Sequence, residues 1–381
     1  MDFAWSDEQK ELRESVVRFA ESALQDDLGA RDQEGCFSRD LWTRCAEFGI
    51  QGLPFPERWG GSGAGILSTV LAMEALGSAC ADNGLLFALN AQMWSVQMPI
   101  FRHGDDQQRE RYLTRLCSGE WIGAHAMSEP DSGSDAFALR TTARRDGDAY
   151  VLNGLKTFVS EAPVADLFLV FATLDRGKGV LGITGFLVER GTPGLSLGKP
   201  LHKMGLTTSP MSEVILDDCR VPAANRLGKE GRAAAIFNDS MEWERACILA
   251  PCLGAMERQL VACLRHARAR EQFGHRIGDF QSVSNKLAEM RIRADAARLL
   301  LYRAAWLKEQ GLPAASEAAV AKWFVADALV RSGLDAIQVH GGYGYMREYG
   351  LERDLRDFVG STLYSGTSEI QLALIARGLG L

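Results

Sequence analysis

Apolar positions near the start of the chain recur at steps of three and four residues: Leu12, Val16 and Phe19 fall on one helical face. Ser6 followed by Gln9 supplies a capping box just ahead of them. Helical patterning then continues, broken by glycine and proline as in LPFPERWGGSGAG (53–65), to about residue 118. From Trp121 to about Leu227 the pattern changes to the short apolar runs of strands. These are YVLNGLKTFV (150–159), where Asn153-Gly154 predicts a two-residue hairpin turn, LFLVFAT (167–173), ITGFLV (183–188) and EVILDD (213–218). After Gly228 the helical period returns and stays. Leu249, Leu253, Met256, Leu260 and Leu264 form one stripe, and Leu287, Met290, Ala294, Ala297 and Leu301 form the seam of a second long helix. Pro251 predicts a kink in the first of these, because proline removes an intrahelical hydrogen bond.

The pattern therefore predicts a mostly α protein with an inserted β domain: a helical domain over 1–120, a β domain over 121–228 and a helical bundle over 229–381. At 381 residues, 46% hydrophobic and 24% charged, such a chain buries enough core to enclose a large cofactor. Forty-two basic against 49 acidic side chains give a net charge of −7 with no polybasic run, which argues against a nucleic-acid partner. The opening segment lacks the layout of a signal peptide and no apolar run approaches the roughly 18 residues of a membrane span, so a cytoplasmic protein away from membranes is expected. Eight scattered cysteines without metal-ligand spacing read as small core residues in a reducing compartment, with no metal site.

Two loops carry candidate chemistry. AMSEPDSGSDA (126–136) packs serines, Gly133 and three acids into a turn after an apolar run, which suits hydroxyls and N–H groups aimed at a polar ring or a pyrophosphate; alone it reads equally as a solvated turn. NGLKTFVSEAP (153–163) offers Phe158 and Ser160, an aromatic plane beside a hydrogen-bonding group; alone it is a buried strand. Near the C-terminus YSGTSEIQ (364–371) runs into LALIARGLGL and reads locally as a helix cap, with Ser368 and Gln371 as a capping box.

In this order and spacing these segments resemble the acyl-CoA dehydrogenase family over essentially the whole chain, together with KMGLTTSPMSEVILDDCRVP (203–222), HARAREQFGHRIGDFQSV (266–283) and IQVHGGYGYM (337–346). The resemblance implies an N-terminal helical domain, a central β-barrel-like domain and a C-terminal four-helix bundle, assembled as a homotetramer with FAD between the β domain, the bundle and a neighbouring subunit. It implies that Met127 and Ser128 face the flavin ring, that Phe158 (where the family often has tryptophan) and Ser160 line its other side, and that Ser134 lies near the pyrophosphate or the substrate's pantetheine arm. Arg270, Gln272, Phe273, Gln281, Gln338, Gly341 and Gly342 correspond to residues that hold the adenosine half from the adjoining subunit, and Thr367 and Glu369 to flavin contacts. Arg245, Tyr364 and Gly366 fall beside the substrate. The implied electron acceptor is an electron-transfer flavoprotein or oxygen.

The family's chemistry removes a proton α to a thioester carbonyl and a hydride from the β carbon, so it needs one carboxylate in a dry cavity, where exclusion of water raises its basicity. Most members have glutamate before the Gly-Thr-Ser; this chain has Ser365. A minority resembling isovaleryl- and long-chain acyl-CoA dehydrogenases places the glutamate on a bundle helix, and the matching position within MEWERACILAPCLGAMERQL (241–260) is Glu244. The alternative reading makes Glu242 and Glu244 surface acids, with Glu242 paired to Arg245.

That segment, the DFAWSDEQ start and YSGTSEIQ resemble most closely the dehydrogenases of aminoacyl groups, prolyl above all, tethered to peptidyl carrier proteins in natural-product pathways. An acyl-CoA dehydrogenase of short or branched acyl-CoA, and a flavin monooxygenase or oxidase on the same fold, stay open beside it. Leu86, Leu89 and Met93 are expected to line the acyl cavity.

Overall fold

The structure, a computed structural model, describes residues 4–381; Asp2 and Phe3 of the DFAWSDEQ start lie outside the described residues. Helices open the chain: α1 (Asp7–Ala23), α2 (Leu28–Glu34), α3 (Arg39–Phe48), α4 (Ile66–Ala79) and α5 (Asn83–Gln92). A π turn over Met93–Gln97 carries α5 into α6 (Met98–His103), and the short α7 (Asp106–Gln108) and α8 (Thr114–Cys117) close this region. Helix α1 starts at the expected box, the Ser6 hydroxyl accepting from the Gln9 N–H and the Gln9 side chain from the Ser6 N–H.

Strands β1 (Gly123–Ala126), β2 (Thr142–Asp146), β3 (Ala149–Ser160), β4 (Leu167–Thr173), β5 (Ile183–Glu189), β6 (Leu195–Leu197), β7 (Met211–Pro222) and β8 (Arg226–Leu227) form one sheet in the order β6-β7-β3-β2-β4-β5-β8, with β1 parallel to β4. Asn153-Gly154 is not the hairpin turn. It lies inside β3 at a register shift between Leu152 and Gly154, and the turn from β2 to β3 is Gly147-Asp148, Gly147 taking φ 62°. Glycine at 154 serves close approach instead, since a Cβ there would lie 2.4 Å from the Thr141 hydroxyl. A second shift, between Lys156 and Val159, puts an extra residue on β3, and such a bulge re-aims side chains. Phe158, at φ 54°, is turned out of the sheet and left 66% exposed.

The bundle consists of α9 (Ala233–Cys247), α10 (Ala250–Ala269), α11 (Gln281–Glu309), α12 (Ala315–His340), α13 (Leu351–Gly360) and α14 (Ser368–Gly378), with β9 (Glu271–Gln272) and β10 (His275–Arg276) as a hairpin after α10. Pro251 does not kink a continuous helix. The helix ends four residues earlier, at Cys247, and restarts at Ala250, so that the proline sits in the first turn of α10, where its missing N–H costs nothing. The stretch Ala233–Ala269 matches a membrane span over one 18-residue window, a match the sequence reading did not anticipate. That window is largely buried in the protein. Both expected stripes lie in the interior, apart from the half-buried Leu264.

Helices α4 and α10 meet glycine to backbone: a Cβ on Gly77 would lie 1.8 Å from the Pro251 carbonyl oxygen, and one on Gly254 2.0 Å from that of Glu74. Gly254→Val is expected to destabilise the protein by about 3 kcal/mol, because a tight crossing absorbs added volume only by moving backbone. An unchanged denaturation midpoint would contradict that. Of the eight cysteines, all unpaired, six are buried, Cys252 is half-buried and Cys36 is exposed.

Candidate active site

One cavity of about 670 Å³ opens where the β domain, α5, α9 and the α13–α14 turn converge. Met127, Ser128, Ser134, Phe158, Ser160, Glu244, Arg245, Tyr364, Gly366 and Thr367 all line it. Phe158 offers it a bare aromatic face, and Ser128, Thr157 and Ser160 set polar groups around that face, a surround that fits a flat heteroaromatic ring system.

Helix α9 supplies one wall. Phe237, Met241 and Glu244 recur at steps of four and three and so share one face. Glu244 is 8% exposed, and the Ser365 hydroxyl donates to its Oε1 at 2.5 Å. Burial raises its pKa, against the Ser365 hydrogen bond and the charges of Arg245 and Lys322. The serine in the usual glutamate position is thus a donor to the glutamate that lies across from it. The surface reading of this helix fails: Glu242 pairs with Lys308 at 2.8 Å, while Arg245 donates its Nε to the Ser365 carbonyl at 3.1 Å.

The turn that carries Ser365 is held from several sides. Ser365 and Gly366 both take positive φ, 58° and 89°. The Gln371 side chain donates to the carbonyls of both, and Lys322 donates to that of Gly366 at 2.8 Å. The expected Ser368–Gln371 box is absent because Gln371 is engaged here; Thr367 is the N-cap of α14, accepting from the Ile370 N–H.

On the opposite wall Glu129 orders the loop after β1. Its carboxylate accepts from the Arg140 and Thr141 N–H groups and from the fully buried Lys156, whose ammonium also reaches the Met127 carbonyl. Burial alone would raise the Glu129 pKa, but the Lys156 charge and these hydrogen bonds bring it below its usual value. Both residues stand inside the motifs picked out from the sequence, yet nothing local marks them as partners 27 positions apart.

The cavity floor differs from expectation. Leu89 and Met93 are buried in the core and Leu86 faces a separate small void, whereas Phe87, Ala91 and Ser95, one or two positions on, line the cavity. The Phe87 and Tyr364 rings pack 4.8 Å apart. Periodicity located the helix, but its two faces are almost equally apolar.

The remaining expected residues lie elsewhere. Glu369 is exposed in the first turn of α14. Arg270, Gln272, Phe273, Gln281, Gln338, Gly341 and Gly342 are exposed around the β9–β10 hairpin and the end of α12, outside the cavity. The Arg270 guanidinium lies 5.9 Å from the Tyr343 ring centre, so the two segments adjoin, and Phe273 is 92% exposed at φ 54°.

Sequence models of the acyl-CoA dehydrogenase N-terminal, middle and C-terminal domains match residues 6–120, 124–219 and 231–380. The chain belongs to the acyl-CoA dehydrogenase family. Within the family it is 42% identical, over 100% of its length and 99% of the relative's, to an L-prolyl-[peptidyl-carrier protein] dehydrogenase of Serratia sp. (strain ATCC 39006). Among solved structures it resembles the prolyl acyl carrier protein oxidase AnaB, with 49% identity, TM-score 0.98 and coverage of 99% and 100% of the two chains. PigA with FAD and proline gives 41% identity and TM-score 0.97 over the whole of both chains. Butyryl-CoA dehydrogenase from Megasphaera elsdenii, at 37% identity and TM-score 0.96, also covers both chains fully.

Proposed function

We propose that the protein is an FAD-dependent dehydrogenase that introduces an α,β double bond into an aminoacyl thioester, prolyl by preference, borne on the pantetheine arm of a carrier protein in natural-product biosynthesis. The observation that carries this reading is the buried carboxyl of Glu244, facing the cavity with a raised pKa and hydrogen-bonded by the serine that replaces the family's usual acid. The relatives that act on carrier-bound prolyl groups support the substrate class.

In the proposed reaction Glu244 takes the proton from the substrate's α carbon. Its Oε1 is engaged by Ser365, which leaves the other oxygen for the proton. Exclusion of water by Phe237, Met241 and Tyr364 keeps the carboxylate a strong base. FAD, when bound against Met127, Ser128, Phe158 and Ser160, supplies the acceptor for the β hydride. Ser134, Arg245, Tyr364 and Gly366 position the thioester and its arm. The ring pair of Phe87 and Tyr364 floors the cavity, which favours a compact acyl group over a long chain.

Assembly is part of the proposal. Arg270, Gln272, Phe273, Gln281, Gln338, Gly341 and Gly342 would hold the adenosine half of FAD bound by a second copy, with Thr367 and Glu369 contacting the flavin within one copy, in a cytoplasmic homotetramer. The exposed Phe273 supports this, since a bare ring at a hairpin tip is what a partner would cover.

The test is anaerobic bleaching of the flavin by prolyl, other aminoacyl, butyryl and octanoyl groups, each on a carrier protein and on CoA. Bleaching by carrier-bound prolyl, and none by octanoyl, is expected. No bleaching by any thioester would overturn the reading in favour of an oxygen-using flavoprotein, and peroxide formed with turnover in air would identify oxygen, rather than an electron-transfer flavoprotein, as acceptor.

A further inference from the structure

Lys322 is a fully buried lysine on α12 that the reaction does not use. Lysines are almost never buried without a partner, and the one this ammonium has is a main-chain oxygen, the Gly366 carbonyl at 2.8 Å. The charged groups facing it are Glu244 and Arg245 from α9 and Glu369 from α14, and the Tyr364 ring centre lies 5.8 Å away. No carboxylate forms an ion pair with it within 4 Å, among the described residues.

The turn it supports is the one that presents Ser365. Both turn residues adopt left-handed conformations, one of them with a side chain, and such a backbone persists only where its surroundings over-determine it. Here the two carbonyls receive Arg245, Gln371 and Lys322. We propose that Lys322 is a positioning residue for the proton-abstracting carboxylate: from beneath the Ser365–Gly366 turn it fixes the hydroxyl that Glu244 accepts, and it keeps a positive charge facing that carboxylate. The inference rests on the dehydrogenase reading of the cavity.

Two effects follow from this placement. The hydroxyl is aimed without freedom to turn away, so that one oxygen of Glu244 is always occupied and the other is always presented. The charge also offsets part of the penalty of ionising a buried acid, so that Glu244 is deprotonated at a lower pH than burial alone would allow. Burial, only partly offset by Glu244, brings Lys322 itself down to about 7, so its charge is fully present on the acid side of neutrality and answers to the same carboxylate that it stabilises.

The experiment compares Lys322→Gln and Lys322→Met with the native protein in two measurements. The first is the acid limb of the pH profile for flavin bleaching by the carrier-bound substrate. The second is difference infrared titration of the Glu244 carboxylic C=O stretch, with Glu244→Gln as the blank, which needs no substrate. Removing the charge is expected to move both the limb and the titration to higher pH by about one unit, as loss of an opposite charge near a carboxylate does. Lys322→Arg should bring both back toward the native values. If either charge-free variant folds, binds FAD and titrates like the native protein, Lys322 is structural and the proposal is wrong. If no thioester bleaches the native flavin, the dehydrogenase reading falls, while the infrared titration still decides what Lys322 does to Glu244.

Discussion

Glu244→Gln is expected to slow flavin bleaching by carrier-bound substrate by about 10³- to 10⁴-fold, the upper range for removal of a general base. The variant should still be yellow and folded. An amide of the same shape keeps an oxygen for the Ser365 hydroxyl, so the turn and the cavity wall stay in place. A stability effect of opposite sign accompanies the loss. Because the folded protein raises the Glu244 pKa, its contribution to stability is fully present below the unfolded value, near 4.3, and is lost as pH rises through the folded value. The glutamine never ionises, so its melting temperature should gain on the native protein as pH rises above the unfolded value. Native bleaching rates would remove Glu244 from the mechanism, and a gain at low pH instead would show that the carboxylate is stabilised by folding.

Lys156→Met is expected to be the most damaging single change in the cavity wall. It leaves Glu129 buried and ionised without its cation, and breaking a buried pair in that way costs about 3–5 kcal/mol. The loss is functional too, because Glu129 holds the Arg140 and Thr141 N–H groups and Lys156 holds the Met127 carbonyl. The loop that begins with Met127 and Ser128 would lose its anchor, and the purified variant should retain little flavin. The double variant Glu129→Gln, Lys156→Met removes both charges and should recover part of the stability. The pair also predicts acid sensitivity. A carboxylate whose pKa folding lowers stabilises the protein above its unfolded value, and that stabilisation disappears as pH falls through the folded one. Denaturation midpoints of the single and double variants at pH 4.5 and 7 test this; a double variant that loses at pH 7 the sum of the two single losses would mean that the two side chains act independently.

These two sites mark what was legible in the sequence. Glu244 was singled out because an acid is visibly missing elsewhere: Ser365 stands where the family usually has one, a family register points to a replacement, and the structure places that residue on the cavity wall beside Ser365. Lys156 and Lys322 were passed over because a buried lysine in a strand or helix looks like any other lysine until its partners are placed, and those partners lie 27 and 44 positions away. The strands over 167–173 and 183–188 were read almost to the residue, since fully buried strands are continuous apolar runs. Asn153-Gly154 misled because the same dipeptide serves a tight turn and a close passage, and only the neighbouring Thr141 decides between them. The cap of α14 was misplaced by one residue because Gln371 is drawn to the Ser365–Gly366 carbonyls. The cavity floor was assigned to the wrong face of α5, whose pattern has no polar side to orient it.

The distribution of thiols gives the molecule a practical asymmetry. Every cysteine except Cys36 is at least half-buried with its pKa raised by burial, so the thiolate needed to attack an electrophile is scarce at neutral pH. Cys36 alone is exposed, just beyond α2 and in a region that contributes nothing to the cavity. A maleimide dye should therefore couple at one place per chain without engineering. That single beacon, paired with a dye on a carrier protein, would report docking and release by energy transfer in the unmodified enzyme.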